Sequence, residues 1–147
     1  MRSAFVPALL VAAIGCAAAT EALAQNTYVQ TVRNEIARHE SDILSRGYRQ
    51  DREMMTGSLR DDARETNMIS LQGGVAYVIQ GGCDQDCDDF DLRIRDPNGN
   101  QLAEDVGTDD WPRLTFTATV TGQYRLESIM PGCRTSPCYW GAQVYRR

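Results

Sequence analysis

Between Thr27 and Arg46 the apolar residues Val29, Val32, Ile36, Ile43 and Leu44 recur at the spacing of one helical face. Asn26 or Thr27 stands where a side-chain oxygen caps a first turn, and Gly47 where a helix ends on a left-handed residue. The stripe is narrow and its flanks are charged, so it packs on the domain that follows or on a second helix in a coiled pair. Beyond Gly47 the period drops to two. Phe90, Leu92 and Ile94 alternate with Asp89, Asp91, Arg93 and Arg95, and Leu114, Phe116, Ala118 and Val120 alternate with threonines. That is the pattern of antiparallel strands with one buried face. Such runs predict strands near 54–59, 65–71, 75–80, 90–95, 101–106, 114–119, 124–130 and 139–145. Turn signals separate them at Gln72-Gly73-Gly74, Asp96-Pro97-Asn98-Gly99, Thr121-Gly122 and Met130-Pro131-Gly132. Gly73-Gly74 and Gly81-Gly82 both read as turn glycines. About eight strands in roughly ninety residues predict an all-β fold, a jelly-roll-like antiparallel β-sandwich, preceded by one N-terminal amphipathic α-helix. Tyr139, Trp140 and Tyr145, at strand spacing, belong to its packing.

The first 24 residues follow another logic. Met1-Arg2 supplies a positive start, Phe5 to Ile14 an apolar run, and Ala22-Leu23-Ala24 the small-x-small pattern of signal-peptide cleavage. The run is shorter than the roughly 20 residues a membrane anchor needs. Residues 1–24 are therefore expected to be removed, leaving a helical segment over 25–50 and a sandwich over 51–147 in the periplasm or outside the cell. Ala13-Ile14-Gly15-Cys16 is a weak lipobox and makes lipid anchoring at Cys16 the minor alternative. Export also resolves the cysteine count. Loss of Cys16 leaves Cys83, Cys87, Cys133 and Cys138, an even number that implies two disulfides in an oxidising compartment. The short spacings favour Cys83–Cys87 and Cys133–Cys138, while cross-linking between the two loops stays open. Zinc is the sharper alternative, but neither pair has ribbon spacing.

Several motifs run in order through the strand region. Leu71-x-x-Gly74-x-x-Tyr77 precedes Asp89-x-Asp91-Leu92-x-Ile94. Asp96-Pro97-Asn98-Gly99, Leu102-Ala103-Glu104-Asp105 and Thr121-Gly122-Gln123-Tyr124-Arg125-Leu126 follow. Over about residues 54–146 this resembles the bacterial pre-peptidase C-terminal domain, a β-sandwich related to the collagen-binding domains of secreted collagenases. The resemblance implies a non-catalytic accessory module; some members bind calcium or an extracellular polymer. Two features depart from the family. Only a short helix precedes the domain here, so help to a protease in cis is not expected, and the cysteine pairs are not general to the family.

The net charge of −5 argues against a general nucleic-acid binder, and the absence of lysine removes Schiff-base and P-loop chemistry. The charge is uneven. Residues 82–110 carry two Arg against ten acidic residues, −8, whereas residues 111–147 carry five Arg against one acid, +4. The densest stretch holds Asp84, Asp86, Asp88, Asp89 and Asp91, candidate oxygen ligands for calcium. It is not an EF-hand, since Asp89 and Arg95 occupy the positions of the required Gly and Glu. The plainer alternative is a solvated acidic turn in which Asp91 pairs with Arg93, Arg95 or another strand's Arg. Further on, Trp111 beside Asp109 and Asp110 is a candidate ligand contact able to stack on a sugar ring. His39, the only histidine, sits on the helical stripe with only Ser41 and Asp42 near it, which argues against a Ser–His–Asp triad and for no enzyme. The leading expectation is an exported non-catalytic binding or accessory module with a polymer or protein partner, calcium-stabilised in one version. The alternative is a structural protein that self-associates through Val29, Val32, Ile36 and Ile43. A hydrolase with an unseen cleft stands third.

Overall fold

The structure, a computed structural model, describes residues 15–147, with side chains from Thr27 onward. The leader run Phe5–Ile14 lies outside the described residues, as do the side chains of Cys16 and of Ala22-Leu23-Ala24. Helix α1 spans Gly15–Arg38 and α2 spans Glu40–Ser45. Nine strands follow: β1 (Arg49–Gln50), β2 (Met55–Leu59), β3 (Ala63–Leu71), β4 (Ala76–Cys83) and β5 (Cys87–Arg95), then β6 (Gln101–Asp105), β7 (Arg113–Thr117), β8 (Gly122–Cys133) and β9 (Cys138–Arg146). They form two antiparallel sheets, β1/β2-β9-β4-β7 and β3-β8-β5-β6, whose inner faces share one core around Trp140, Phe90, Leu92, Tyr124 and Met130. No helix among the described residues is long and apolar enough to cross a membrane.

The eight expected strands are all present, and the ninth, β1, is two residues that continue the β2 edge along β9. The recurring motifs prove to be backbone clamps of the sandwich. Tyr124 Oη donates to the Val120 carbonyl and accepts from the Val120 N–H, which locks the Thr121-Gly122 turn. Tyr77 Oη accepts from the Gln72 N–H, and Gly74 next to that turn has φ +80°. The Asp96 carboxylate accepts from the N–H groups of Asn98 and Asn100 and from the Asn100 amide, and Gly99 closes the turn at φ +91°. These bonds, led by the Asn100 side chain, hold the Asp96 carboxyl below the usual range. The favoured disulfides, Cys83–Cys87 and Cys133–Cys138, are both formed. Each staples the two strands on either side of a short loop, and Cys87 stands opposite Cys133 in the β5–β8 ladder.

Three expectations need correction. First, Asn26 and Thr27 do not begin the helix, because both lie within α1, which runs on from Gly15; the break comes instead at His39, before α2. Gly47 does take the left-handed conformation, φ +83°, after α2. Second, Gly81 and Gly82 are not turn glycines but lie inside β4. Gly82 is the register partner of Gly141 on β9, and the two make a bare patch on the outer face of the first sheet. A Cβ on Gly141 would lie 2.8 Å from Val32 Cγ1, and one on Gly82 3.0 Å from Ile36 Cγ1. The absence of both side chains therefore lets α1 rest directly on the sheet backbone. Third, most of the apolar stripe offered for self-association is turned inward, Val29 alone of its four residues being half-buried. Val32, Ile36 and Ile43 are fully buried on their own sheet, Ile43 together with Tyr48, Val78 and Tyr145. Each such side chain removed from water stabilises the docked state by about 1.5–3 kcal/mol, so the helix spends its apolar face inside its own chain.

The glycine contact predicts a coupling. Gly141→Ala should lower stability by about 1–3 kcal/mol through overpacking. In a Val32→Ala background, where the clashing methyl is gone, the same change should cost at least about 0.5 kcal/mol less. Chemical denaturation of the four proteins measures this, and strictly additive costs would show that the two residues do not touch.

Candidate functional site

The acidic stretch splits into two groups with different surroundings. Asp84 turns inward and is buried; its carboxylate accepts from the N–H groups of Asp86 and Tyr139, tying the disulfide loop to β9. Burial pushes its carboxyl up despite those bonds. Asp88 points outward to an ion pair with Arg134 at 2.9 Å. The five candidate ligands Asp84, Asp86, Asp88, Asp89 and Asp91 are thus not brought together, and among the described residues no three Asp, Glu, His or Cys form a group that could hold a metal ion.

Asp89 and Asp91 have different neighbours. The loop 106–112 folds along β5, where the Phe90 N–H donates to the Asp109 carbonyl, and it carries acidic side chains toward them. Burial first, then Asp89, Asp105 and Asp109, push the Asp91 carboxyl up to about 6, with Arg93 opposing them. Asp89 is raised by its own burial and then by Asp109. One buried oxygen of each, Oδ1, has no hydrogen-bond donor, although Asp91 is only 8% exposed. The expected Arg partners of Asp91 are engaged elsewhere: Arg93 binds Glu104 and Glu127, and Arg95 binds Glu127. At the end of β6 Asp105 Oδ2 accepts from the Arg113 N–H, and in the loop Asp109 Oδ1 accepts from the Trp111 N–H. Their other oxygens flank Gly107, where a Cβ would meet Asp109 Oδ2 at 3.2 Å and Asp105 Oδ1 at 3.6 Å.

Trp111 stands at the edge of this acidic end and remains 42% exposed. One face of its indole stacks on His39, with 4.5 Å between ring centroids and 6° between planes. Beside it, Arg113 joins the loop to the helices in a way the sequence reading missed. Its guanidinium binds both oxygens of Asp42 (2.7 and 3.1 Å), the His39 carbonyl (2.9 Å) and Gln80 Oε1 (2.6 Å). This pairing holds the Asp42 carboxyl below the usual range. An Arg opening a strand between Pro112 and Leu114 was the only available signal, and an exposed Arg looks no different in sequence. His39 is therefore held against Trp111 and near Glu35, 3.7 Å away.

No family model matches the chain, and no curated protein matches it. Fifteen chains among the solved structures are similar, two of them as follows. The pre-peptidase C-terminal domain of collagenase from Bacillus anthracis aligns with a TM-score of 0.51 at 14% identity, over 63% of this chain and 87% of that one. PliG from Aeromonas hydrophila, a periplasmic inhibitor of g-type lysozyme, aligns with a TM-score of 0.48 at 11% identity, over 65% of this chain and 85% of that one. The chain thus has a β-sandwich like that of the pre-peptidase C-terminal domain.

The crowded carboxyls make stability depend on pH in a defined direction. A folded-state value near 6 for Asp91, against an ordinary 3.8, means that the fold binds this proton more tightly than the unfolded chain. Asp91 should therefore weaken the fold increasingly as pH rises from about 4 to 6, by on the order of 1–3 kcal/mol above that window. Asp91→Asn should raise the melting temperature at pH 7.5 and flatten its pH dependence between 4 and 6. A variant that melts lower than the parent at pH 7.5 contradicts this.

Proposed function

We propose that this chain is an exported, non-catalytic binding module whose acidic end receives an arginine or lysine side chain from a protein partner outside the cytoplasm. The observation that carries the reading is the pair of buried Asp89 and Asp91 oxygens left without a donor. An unsatisfied buried acceptor costs about 1–3 kcal/mol, and more when charged. A guanidinium or ammonium group set against this crowded acidic end supplies the missing positive charge. Trp111 adds a second contact at the same place: with one indole face on His39 and 42% of the residue exposed, it offers π surface to a cation beside Asp109 and Asp110. A neutral sugar would use Trp111 but would leave the carboxylates unanswered. Calcium would answer them, but it asks for six to eight oxygens around one point. The predicted leader and the two disulfides support an oxidising compartment as the place of action.

Calorimetric titration of the full chain with a hexa-arginine peptide tests this reading. Saturable binding is expected that weakens with added salt and falls at least tenfold in both Asp91→Asn and Trp111→Ala. Binding that ignores both substitutions would reduce the effect to unspecific attraction by a −8 region. A calcium-dependent rise in melting temperature that Asp91→Asn abolishes, without peptide binding, would place a metal ion there instead. Either result overturns the proposal.

A further inference from the structure

A second site lies on the opposite flank of the docked helix, independent of the acidic end. Where the edge strand breaks between β1 and β2, a cleft of about 260 Å³ lies against the junction of α1 and α2. Ile36, Ala37 and Met54 give it apolar walls, and Gln143 and Tyr145 of β9 form its floor. The floor is already satisfied. Gln143 accepts from the Gln50 amide (2.9 Å) and donates to the Arg52 carbonyl (2.7 Å), and Tyr145 Oη donates to Glu40 Oε1 (3.3 Å).

The two ends of the cleft are not. Arg33 lines one end, and among the described residues its guanidinium has neither ion pair nor side-chain hydrogen bond. Glu40 lines the other end; Tyr145 engages its Oε1, and among the described residues its Oε2 and the carbonyl oxygen of the Gln50 amide, which also lines the cleft, have no partner. Asp51, in the strand break, does not compete, because it is taken by Arg52 and Arg146. His39, at the break between α1 and α2, keeps helix-like dihedrals (φ −101°, ψ 0°), so seven residues at about 1.5 Å rise put the Cα atoms of Arg33 and Glu40 roughly 10 Å apart. A simple anion would meet Glu40, and a simple cation would meet Arg33. A ligand carrying both charges, separated by a short apolar stretch, matches the cleft from end to end.

We infer that this cleft binds a short peptide with free termini, two to three residues long. Its carboxylate lies on Arg33, which can grip it with two parallel N–H bonds. Its ammonium lies between Glu40 Oε2 and the Gln50 carbonyl oxygen, and an apolar side chain rests on Ile36, Ala37 and Met54. Two to three extended residues at 3.3–3.6 Å each span about 7–11 Å, the separation that the two ends require.

The probe is the dipeptide Ala-Leu, titrated calorimetrically into the full chain up to about 10 mM, alongside N-acetylated and C-amidated versions. Saturable binding is expected for Ala-Leu, at least tenfold weaker when either terminus is blocked. Arg33→Gln should weaken Ala-Leu binding at least tenfold and no longer distinguish the amidated peptide. Glu40→Gln should do the same for the acetylated peptide, with glutamine still able to accept from Tyr145. Unchanged melting temperatures of both variants show that the fold is intact. No saturable binding of Ala-Leu, or equal binding of the blocked peptides, overturns the inference.

Discussion

Two glycines facing each other across a pair of strands decide how this molecule is put together. Gly82 and Gly141 stand opposite one another in the β4–β9 ladder, and their missing side chains let Val32 and Ile36 reach the sheet. With ordinary strand residues there, the helix would be pushed off and its apolar stripe left in water. Because it docks, the outer face of one sheet is closed by the chain's own helix. Its flanks then acquire the features that matter: Tyr28 stacked on Tyr139, His39 on Trp111, Arg113 clamped to Asp42, and a cleft where the edge strand parts. The interactions around the helix are polar and specific, but each presupposes the close approach that the glycines allow.

The acidic end is the energetic counterpart of that well-packed side. Carboxylates crowd where β5 outruns β6, and the available arginines are committed to Glu104, Glu127 and Asp42. Natural folds rarely bury acceptors without donors, and such atoms mark either a cost tolerated for function or a place completed by something else. Here the costly groups lie next to the loop whose other end, at Trp111 and Arg113, grips the helix junction. The loop 106–112 therefore links the least satisfied part of the molecule to its most interlocked part.

Much of the sandwich was legible because its signals are local. Alternation along Phe90–Ile94 and Leu114–Val120 requires only that one strand face be buried, and the tyrosine, Asp-Pro-Asn-Gly and Thr-Gly motifs bind their own nearby backbone. The cysteine pairs, too, close on near neighbours in sequence. What stayed hidden depends on contacts between distant segments. Gly81-Gly82 looked like a turn because nothing nearby shows that a helix lies on Gly82. The start of α1 was misplaced because a cap at Asn26 or Thr27 is only an option that an upstream helix overrides. In the acidic region the composition was plain, but the grouping was not. Asp84 turns inward to the Tyr139 N–H and Asp88 outward to Arg134, while Asp91 meets Asp105 and Asp109, more than a dozen residues later in the chain.

The central claim is that the helix and the sandwich are one folded unit, joined at the glycine pair. Hydrogen exchange on the full chain, read residue by residue, tests it most directly. The account predicts that the amides of residues 31–38 exchange slowly and open together with those of β4 and β9, as members of one cooperative unit. Exchange of the helix at the rate of an unstructured peptide, while β4 and β9 stay protected, would contradict it.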